Sequence, residues 1–317
     1  MTYRVLIATR SFGSTSQQPA QLLEAAGCEL IKADMSQPMT EDRLGKLLVG
    51  MDAAIVGVVP MTAKILEQAH KLKIVCAHGI GVDHIDVKAA SVRGIAVANC
   101  PGGSAASVAD LTFGLMIAAA RNIVQAGQTL KQGNWGRYHG VELWRKTLGI
   151  IGFGRIGRAV AGRAIGFDMT VLACDPFVPE DSPADKQVKI VPFEDVIRQA
   201  DFISLHTPLT DETRHMIGVD QLAAMKPGAY LINTARGGLV DEAALYRALS
   251  GGRIAGAALD VFASEPPAKS PLLDLDNLVA TPHIGAHTSE AIERVGIMAA
   301  RNVIACLQGQ DPLFRVN

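Results

Sequence analysis

Short apolar runs, each closed by polar or glycine residues, recur along the chain with room for one helix between them. Arg4-Val5-Leu6-Ile7-Ala8-Thr9 is the first, Cys28-Glu29-Leu30-Ile31-Lys32-Ala33 the second and Ala53-Ala54-Ile55-Val56-Gly57 the third. Lys73 to His78 and Ile95 to Asn99 continue the series. Such runs suit strands buried on both faces. Helices are expected near Pro19 to Ala26, after the capped start Thr40-Glu41-Asp42-Arg43 with Leu44, Leu47 and Leu48 as the apolar face, and over Thr62 to His70. Strands alternating with short helices predict a parallel α/β sheet.

Ser104 to Arg121 reads as a long alanine-rich helix with Leu111, Leu115 and Ala118-Ala119 on its apolar face, leading into a second sheet. Gln132 to Arg137 breaks the pattern; Trp135 there suits a packing or dimer contact and core burial equally. The second sheet begins at Leu148 to Ile151 and continues at Val171 to Cys174, Phe202 to His206, Tyr230 to Ala235, Ala257 to Val261 and Leu278 to His283. Ser289 to Leu307 is a final helix, free to return to the first sheet.

The turn after the strand at 148 reads Gly152-Phe153-Gly154-Arg155-Ile156-Gly157, a G-x-G-x-x-G between a strand and the helix-like Arg158 to Gly166. Gly152 makes the tight turn, Gly154 lets a pyrophosphate approach the backbone, and Gly157 lets the helix pack close to the strand. The helix N-terminus offers free N–H groups to phosphate. Asp175 closes the next strand, 18 residues beyond Gly157. A carboxylate there accepts from ribose hydroxyls and repels a 2′-phosphate, and Pro176-Phe177-Val178 supply no arginine for one. NAD is the expected cofactor, rather than NADP.

Composition narrows the partners. The 317 residues are 49% hydrophobic but only 5% aromatic, enough for large cores of small aliphatic side chains. Basic and acidic residues number 30 and 31, with no basic block, so nucleic acid is not an expected partner. No run reaches the ~18 apolar residues of a membrane span, and Met1-Thr2-Tyr3-Arg4 enters a strand directly, without a signal peptide. Cys28, Cys76, Cys100, Cys174 and Cys306 are scattered, which suits reduced thiols in a cytoplasmic protein and argues against a disulfide framework or a metal site.

Four strands of the second sheet end on His206, Arg236, Asp260 and His283, at the edge where open parallel sheets bind ligands. Reduction of a 2-oxo acid needs a cation for the carboxylate and carbonyl, a proton donor, and a group that orients the donor. Arg236 can fork onto paired oxygens. His283 titrates near neutrality. Glu265, stiffened by Pro266-Pro267, can hold one imidazole nitrogen and favour the imidazolium. His70, His84, His139, His215 and His287 have no nameable partners and read as structural.

These segments resemble the D-2-hydroxyacid dehydrogenase family, most closely its phosphoglycerate dehydrogenase-like branch. The resemblance is carried by Gly79 to Asp86, Leu148 to Gly157, His206 to Thr210, Asn233 to Glu242, Ala257 to Phe262 with Glu265-Pro266-Pro267, and Pro282 to Ala286. It implies two doubly wound parallel-sheet domains. A Rossmann NAD-binding domain, 100–286, is inserted into a flavodoxin-like substrate domain built from 1–99 and 287–317. Arg236, Glu265 and His283 are then the catalytic set. NAD is held by Gly152, Gly154, Arg155, Ile156, Gly157, Asp175, Pro176, His206, Thr207, Pro208, Thr213, Thr234, Ala235, Arg236, Asp260, His283, Gly285 and Ala286. Backbone N–H groups of Gly79, Ile80 and Gly81 hold the substrate carboxylate, with Val58, His78, Arg236 and His283 around the substrate. The resemblance also implies a homodimer formed through the nucleotide domain.

The substrate end departs from the phosphoglycerate pattern. Relatives that bind the phosphate tend to place arginines in loops where this chain has Gly57 and Ala77, Val58 to Met61 is apolar, and His78 is the one polar, potentially cationic group nearby. Arg137 or His139 of a dimer partner could compensate. The chain closes at Asn317, without the regulatory extension of longer relatives. The expected reaction interconverts a small D-2-hydroxy acid and its 2-oxo acid. Alternatives are an NAD(H)-sensing regulator on the same scaffold and a 3-phosphoglycerate- or phosphite-oxidising relative. A formate-oxidising relative is disfavoured, since such enzymes tend to pair the histidine with an amide rather than a glutamate.

Overall fold

The computed structural model describes residues 2–178 and 187–317. The chain divides into two compact units, Met1–Ser104 with Ala286–Asn317, and Ala105–Gly285.

The first unit runs β1 (Tyr3–Ala8), α1 (Gln18–Ala25), β2 (Cys28–Lys32), α2 (Glu41–Leu48), β3 (Ala53–Val56), α3 (Ala63–Gln68), β4 (Ile74–Ala77), α4 (Val87–Val92) and β5 (Ala96–Ala98). Its five strands are all parallel, in the order β2-β1-β3-β4-β5. Every residue of β3, β4 and β5 is buried, as their unbroken apolar runs require. Thr40 caps α2 as expected, its side chain accepting from Arg43 N.

The second unit opens with α5 (Ala105–Ala120) and α6 (Ile123–Lys131). Then follow β6 (Thr147–Ile151), α7 (Arg155–Gly166), β7 (Thr170–Cys174), β8 (Val188–Ile190), α8 (Phe193–Gln199), β9 (Phe202–Leu205), α9 (Val219–Ala224), β10 (Tyr230–Asn233), α10 (Glu242–Ser250), β11 (Gly256–Leu259) and β12 (Leu278–Ala280). The sheet order is β12-β11-β10-β9-β6-β7-β8, all parallel. The order reverses between β6 and β9. The outgoing turns of two neighbouring strands diverge there and leave a crevice. One apolar cluster lies on each face of this sheet, around Ile203, Leu231 and Leu259 on one side and Ile150, Ile232 and Ala258 on the other.

The last helix, α11 (Ser289–Leu307), belongs to the first unit, as its sequence position allowed. It packs on α1 through Gly296, where a Cβ would stand 2.7 Å from Pro19 Cγ. Fully buried Asn302 pins it: Nδ2 donates to Asn99 O at 2.9 Å and Oδ1 accepts from Phe314 N at 3.2 Å. The boundary near 104 has the same cause, since Gly103 packs on Val295 and accepts from Arg294 Nε at 3.0 Å.

Trp135 is 86% exposed, so core burial is the wrong alternative for it. It sits in an exposed stretch with Ile123, Val124, Leu130, Tyr138, Val141 and Trp144, and α6 buries none of its residues. All five cysteines are free; Cys28, Cys76 and Cys100 are buried and the other two half-buried. No single helix among the described residues is long and apolar enough to cross a membrane.

Asn302→Leu leaves a part-buried amide and a part-buried carbonyl without their partner, so it should cost about 1–3 kcal/mol of unfolding free energy, read by denaturant titration.

Candidate active site

The crevice of the second sheet is lined on one side by the glycine turn. Gly152 has φ +94°, and a Cβ there would stand 2.6 Å from His206 C and 2.7 Å from Thr207 N. The turn after β6 therefore rests on the backbone leaving β9. A Cβ on Gly157 would lie 2.2 Å from Gly152 O, which brings α7 against the turn. Gly154, the N-cap of α7, has open space where its Cβ would be, and the first turn of α7 carries no acid. An anion thus has access to the helix N-terminus. Asp175 ties this turn to β7: Oδ2 accepts from Phe153 N at 2.8 Å and Oδ1 from Phe177 N at 2.9 Å. Arg155 and Pro176 are exposed and Ile156 is half-buried.

At the other strand ends the groups have different uses. The His206 ring turns back along β9, Nε2 lying 2.8 Å from Ser204 Oγ, and burial pushes its pKa down to about 3. It is neutral, and it faces the crevice through its backbone. Thr213 knots the loop beyond Thr207, donating to Pro208 O at 2.7 Å and accepting from Thr210 N at 2.8 Å. Thr234 is buried with its hydroxyl 2.9 Å from that of Thr112 on α5. Buried Asn233 shapes the next turn. Its Oδ1 accepts from Ala235 N at 3.0 Å, its Nδ2 donates to Arg236 O at 2.8 Å, and half-buried Ala235 accepts from Arg236 Nη1 at 2.7 Å.

Asp260, 1% exposed, organises the last loop. Its Oδ1 accepts from Thr281 Oγ1 at 2.6 Å and Ile284 N at 2.8 Å, its Oδ2 from Gly285 N at 2.8 Å, and its carbonyl from His283 N at 2.8 Å. The loop presents His283, at φ +53°, to Glu265: Nδ1 and Oε2 are 2.7 Å apart, while Glu265 Oε1 accepts from Phe262 N at 3.1 Å. That bond, chiefly, raises the His283 pKa above its ordinary value against the opposing effect of burial, with the charges of Glu265 and Asp260 assisting and Arg236 opposing. Burial pushes the Glu265 carboxyl up. The His283 bond and charge, the Phe262 amide and Arg236 outweigh it, and the net shift is downward. Each partner thus favours the charged form of the other. Arg236 and Glu265 are also joined through backbone, since a Cβ on Gly237 would stand 1.9 Å from Phe262 C.

In the first unit the Gly79-Ile80-Gly81 loop is held by Cys100 N, which donates to Gly79 O at 2.8 Å, and by Asn99 Nδ2, which donates to Ile80 O at 2.8 Å. Ala286 is half-buried and starts the return of the chain to this unit. Val58 is 76% exposed at the end of β3, while Val59 and Met61 are buried. His78 corrects an expectation: it is not a cation. Burial, assisted by His287, lowers its pKa to about 4. Its Nδ1 lies 2.9 Å from Ser11 Oγ, which is 3.0 Å from Thr9 Oγ1. His287 thus has a neighbour that the sequence did not name. Ser11 and Thr9 were not readable as site residues either, because their partner lies 67 residues from Ser11 in the chain.

An open parallel sheet with a glycine turn at its switch point, and a carboxylate–histidine pair beside an arginine, defines a dinucleotide-dependent oxidoreductase fold. The sequence model of the D-isomer specific 2-hydroxyacid dehydrogenase NAD-binding domain matches residues 113–285. The chain is 45% identical over 294 residues to the D-3-phosphoglycerate dehydrogenase of Methanocaldococcus jannaschii, covering 92% of this chain but 55% of that protein. It is 48% identical over 268 residues to the hydroxypyruvate reductase of Thermotoga maritima, covering 83% of this chain and 87% of that one. The NAD+-bound 3-phosphoglycerate dehydrogenase of Entamoeba histolytica superposes with a TM-score of 0.86 at 27% identity, over 100% of this chain and 99% of that one. The chain belongs to the D-isomer specific 2-hydroxyacid dehydrogenase family. Its second unit contains the NAD-binding domain of that family.

Gly157→Ala must push α7 off the glycine turn. NADH affinity, read by fluorescence titration, should weaken by about tenfold or more, because the amides are then misplaced around the pyrophosphate.

Proposed function

We propose that the chain is an NAD-dependent oxidoreductase that interconverts a small D-2-hydroxy acid and its 2-oxo acid, with His283 as acid and base. The observation that carries this reading is the 2.7 Å Glu265–His283 pair. When bound, NAD supplies the hydride acceptor and NADH the hydride donor. Gly152 to Gly157, Asp175 to Pro176, the 206–213 loop, Thr234 to Arg236, Asp260 and the 283–286 loop form the surroundings of the dinucleotide. In the first unit the amides of Gly79, Ile80 and Gly81 suit a carboxylate, and in the second unit Arg236 does. His283 Nε2 gives its proton to the carbonyl oxygen in reduction and takes it back in oxidation. Glu265 stabilises the imidazolium between these steps, and Arg236 draws electron density toward the carbonyl oxygen. The carboxylate–imidazole pair has a direct chemical use, which favours an enzyme over an NAD(H)-sensing regulator.

The substrate end favours an uncharged substituent. A phosphate needs cations, and the ends of β3 and β4 offer Gly57, Val58, Ala77 and a neutral His78. Hydroxypyruvate, glyoxylate or pyruvate is the expected class, in line with the hydroxypyruvate reductase relative rather than the phosphoglycerate one. The exposed apolar stretch from Ile123 to Trp144 suits the interface of a homodimer. Free thiols suit a cytoplasmic setting.

Steady-state NADH oxidation across hydroxypyruvate, glyoxylate, pyruvate and phosphohydroxypyruvate tests the assignment; a clear preference for the phosphorylated acid would overturn the proposed class. His283→Ala should lower kcat by about 100-fold or more, the usual weight of a general acid, while NADH binding changes far less. The pH dependence follows from the direction of the His283 shift. Reduction needs the imidazolium, so kcat/KM falls as pH rises through the raised pKa, and oxidation falls as pH drops through it. Glu265→Gln removes the main cause of the shift and leaves burial, so both limbs should move to lower pH.

A further inference from the structure

Glu242 is the first residue of α10, yet the cap of that helix is made by its neighbour. Asp241 Oδ1 accepts from Ala243 N and Ala244 N at 3.0 Å each. Glu242 instead reaches across to the loop that carries Glu265, its Oε1 accepting from Ala263 N at 2.6 Å. The preceding amide, Phe262 N, donates to Glu265 Oε1 at 3.1 Å. Two successive amides thus hold one carboxylate each. The same backbone lies against the Arg236 turn, where a Cβ on Gly237 would stand 2.3 Å from Ala263 N.

We propose that Glu242 is a positioning residue for the acid–base pair: by occupying the Ala263 amide, it confines Glu265 to Phe262 N and His283 Nδ1. Two neighbouring N–H groups form a concavity that a single carboxylate can bridge. With Ala263 N released, Glu265 has a competing pair of amide donors. Charge-assisted bonds to both amides draw it off the imidazole. His283 then keeps its burial and loses the bond that holds its proton. An acceptor at position 242 is what matters, so a glutamine, which keeps Oε1, serves as well as glutamate.

The idea rests on the assignment of Glu265 and His283 as the acid–base pair, and the test separates the two. Glu242→Ala and Glu242→Gln are compared with wild type by NMR titration of the His283 imidazole, assigned by the signal lost in His283→Asn, and by the pH profile of kcat/KM for reduction. In Glu242→Ala the imidazole titration and the alkaline limb should both move to lower pH. kcat/KM on that limb should drop about tenfold through lost positioning, with KM for NADH unchanged. Glu242→Gln should restore both. An unmoved His283 titration in Glu242→Ala, or a glutamine variant as impaired as the alanine one, overturns the proposal. A titration that moves while the pH profile stays fixed supports the positioning role and refutes His283 as the acid and base.

Discussion

The Asp260 carboxylate is the constraint on which the reactive end of the second unit depends. It is almost fully buried and accepts from one side-chain hydroxyl and two amides, all on the stretch between Thr281 and Gly285. A buried carboxylate must be satisfied, and here the protein itself satisfies it. The return is geometric. His283 stands at a positive φ, a conformation that costs a β-carbon residue energy and persists only when its surroundings impose it. With its amide on Asp260 O and the following amides on the Asp260 carboxylate, the His283 backbone has little freedom left. Glu265 then needs only to meet one nitrogen. Asp260, expected to contact the cofactor, therefore acts first as the fastening of the loop.

Histidines in this chain show how environment, not residue type, assigns a role. His283 is held above its ordinary pKa by a carboxylate at 2.7 Å. His206 is enclosed, with a serine hydroxyl as partner, and falls to about 3. His78 has a serine on one nitrogen and a second histidine nearby, and falls to about 4. A hydroxyl stabilises a neutral imidazole as readily as a charged one, so it does not offset burial; a carboxylate does. Of these three imidazoles, only that of His283 is shifted toward its charged form.

The strands of the site were legible because parallel strands buried on both faces write themselves as unbroken apolar runs. The glycine turn was legible because close backbone approach admits no other residue. Arg236, Glu265 and His283 were legible because each closes or follows such a run. What escaped was short or long-range. β8 has three residues at the sheet edge, one of them Lys189, and gives no run. α4 and α9, of six residues each, bury only Ala90 and Leu222 respectively, too little to write an apolar face into the sequence. The protonation state of His78, the Asn233 turn and the reach of Glu242 to Ala263 depend on contacts between segments, which local pattern does not encode. Trp135 was ambiguous because a large apolar side chain serves a core and an outer surface equally well.

The two sheets meet the same steric problem at their switch points and solve it with different strictness. In the second unit the backbone after β6 meets the backbone after β9, and a Cβ on Gly152 would strike main chain at 2.6 Å. In the first unit β1 and β3 flank the switch point, and a Cβ on Gly57 would meet the side-chain hydroxyl of Thr9 at 3.1 Å. Main chain in a sheet cannot yield, whereas a hydroxyl can turn to another rotamer. Gly152 has φ +94°, which adds a conformational bar that Gly57 lacks. Substitution at the nucleotide end therefore disrupts the turn itself. At position 57 a Cβ would also stand 3.3 Å from the Thr9 Cβ, so Thr9 must give way by a few tenths of an ångström, a smaller demand than moving main chain.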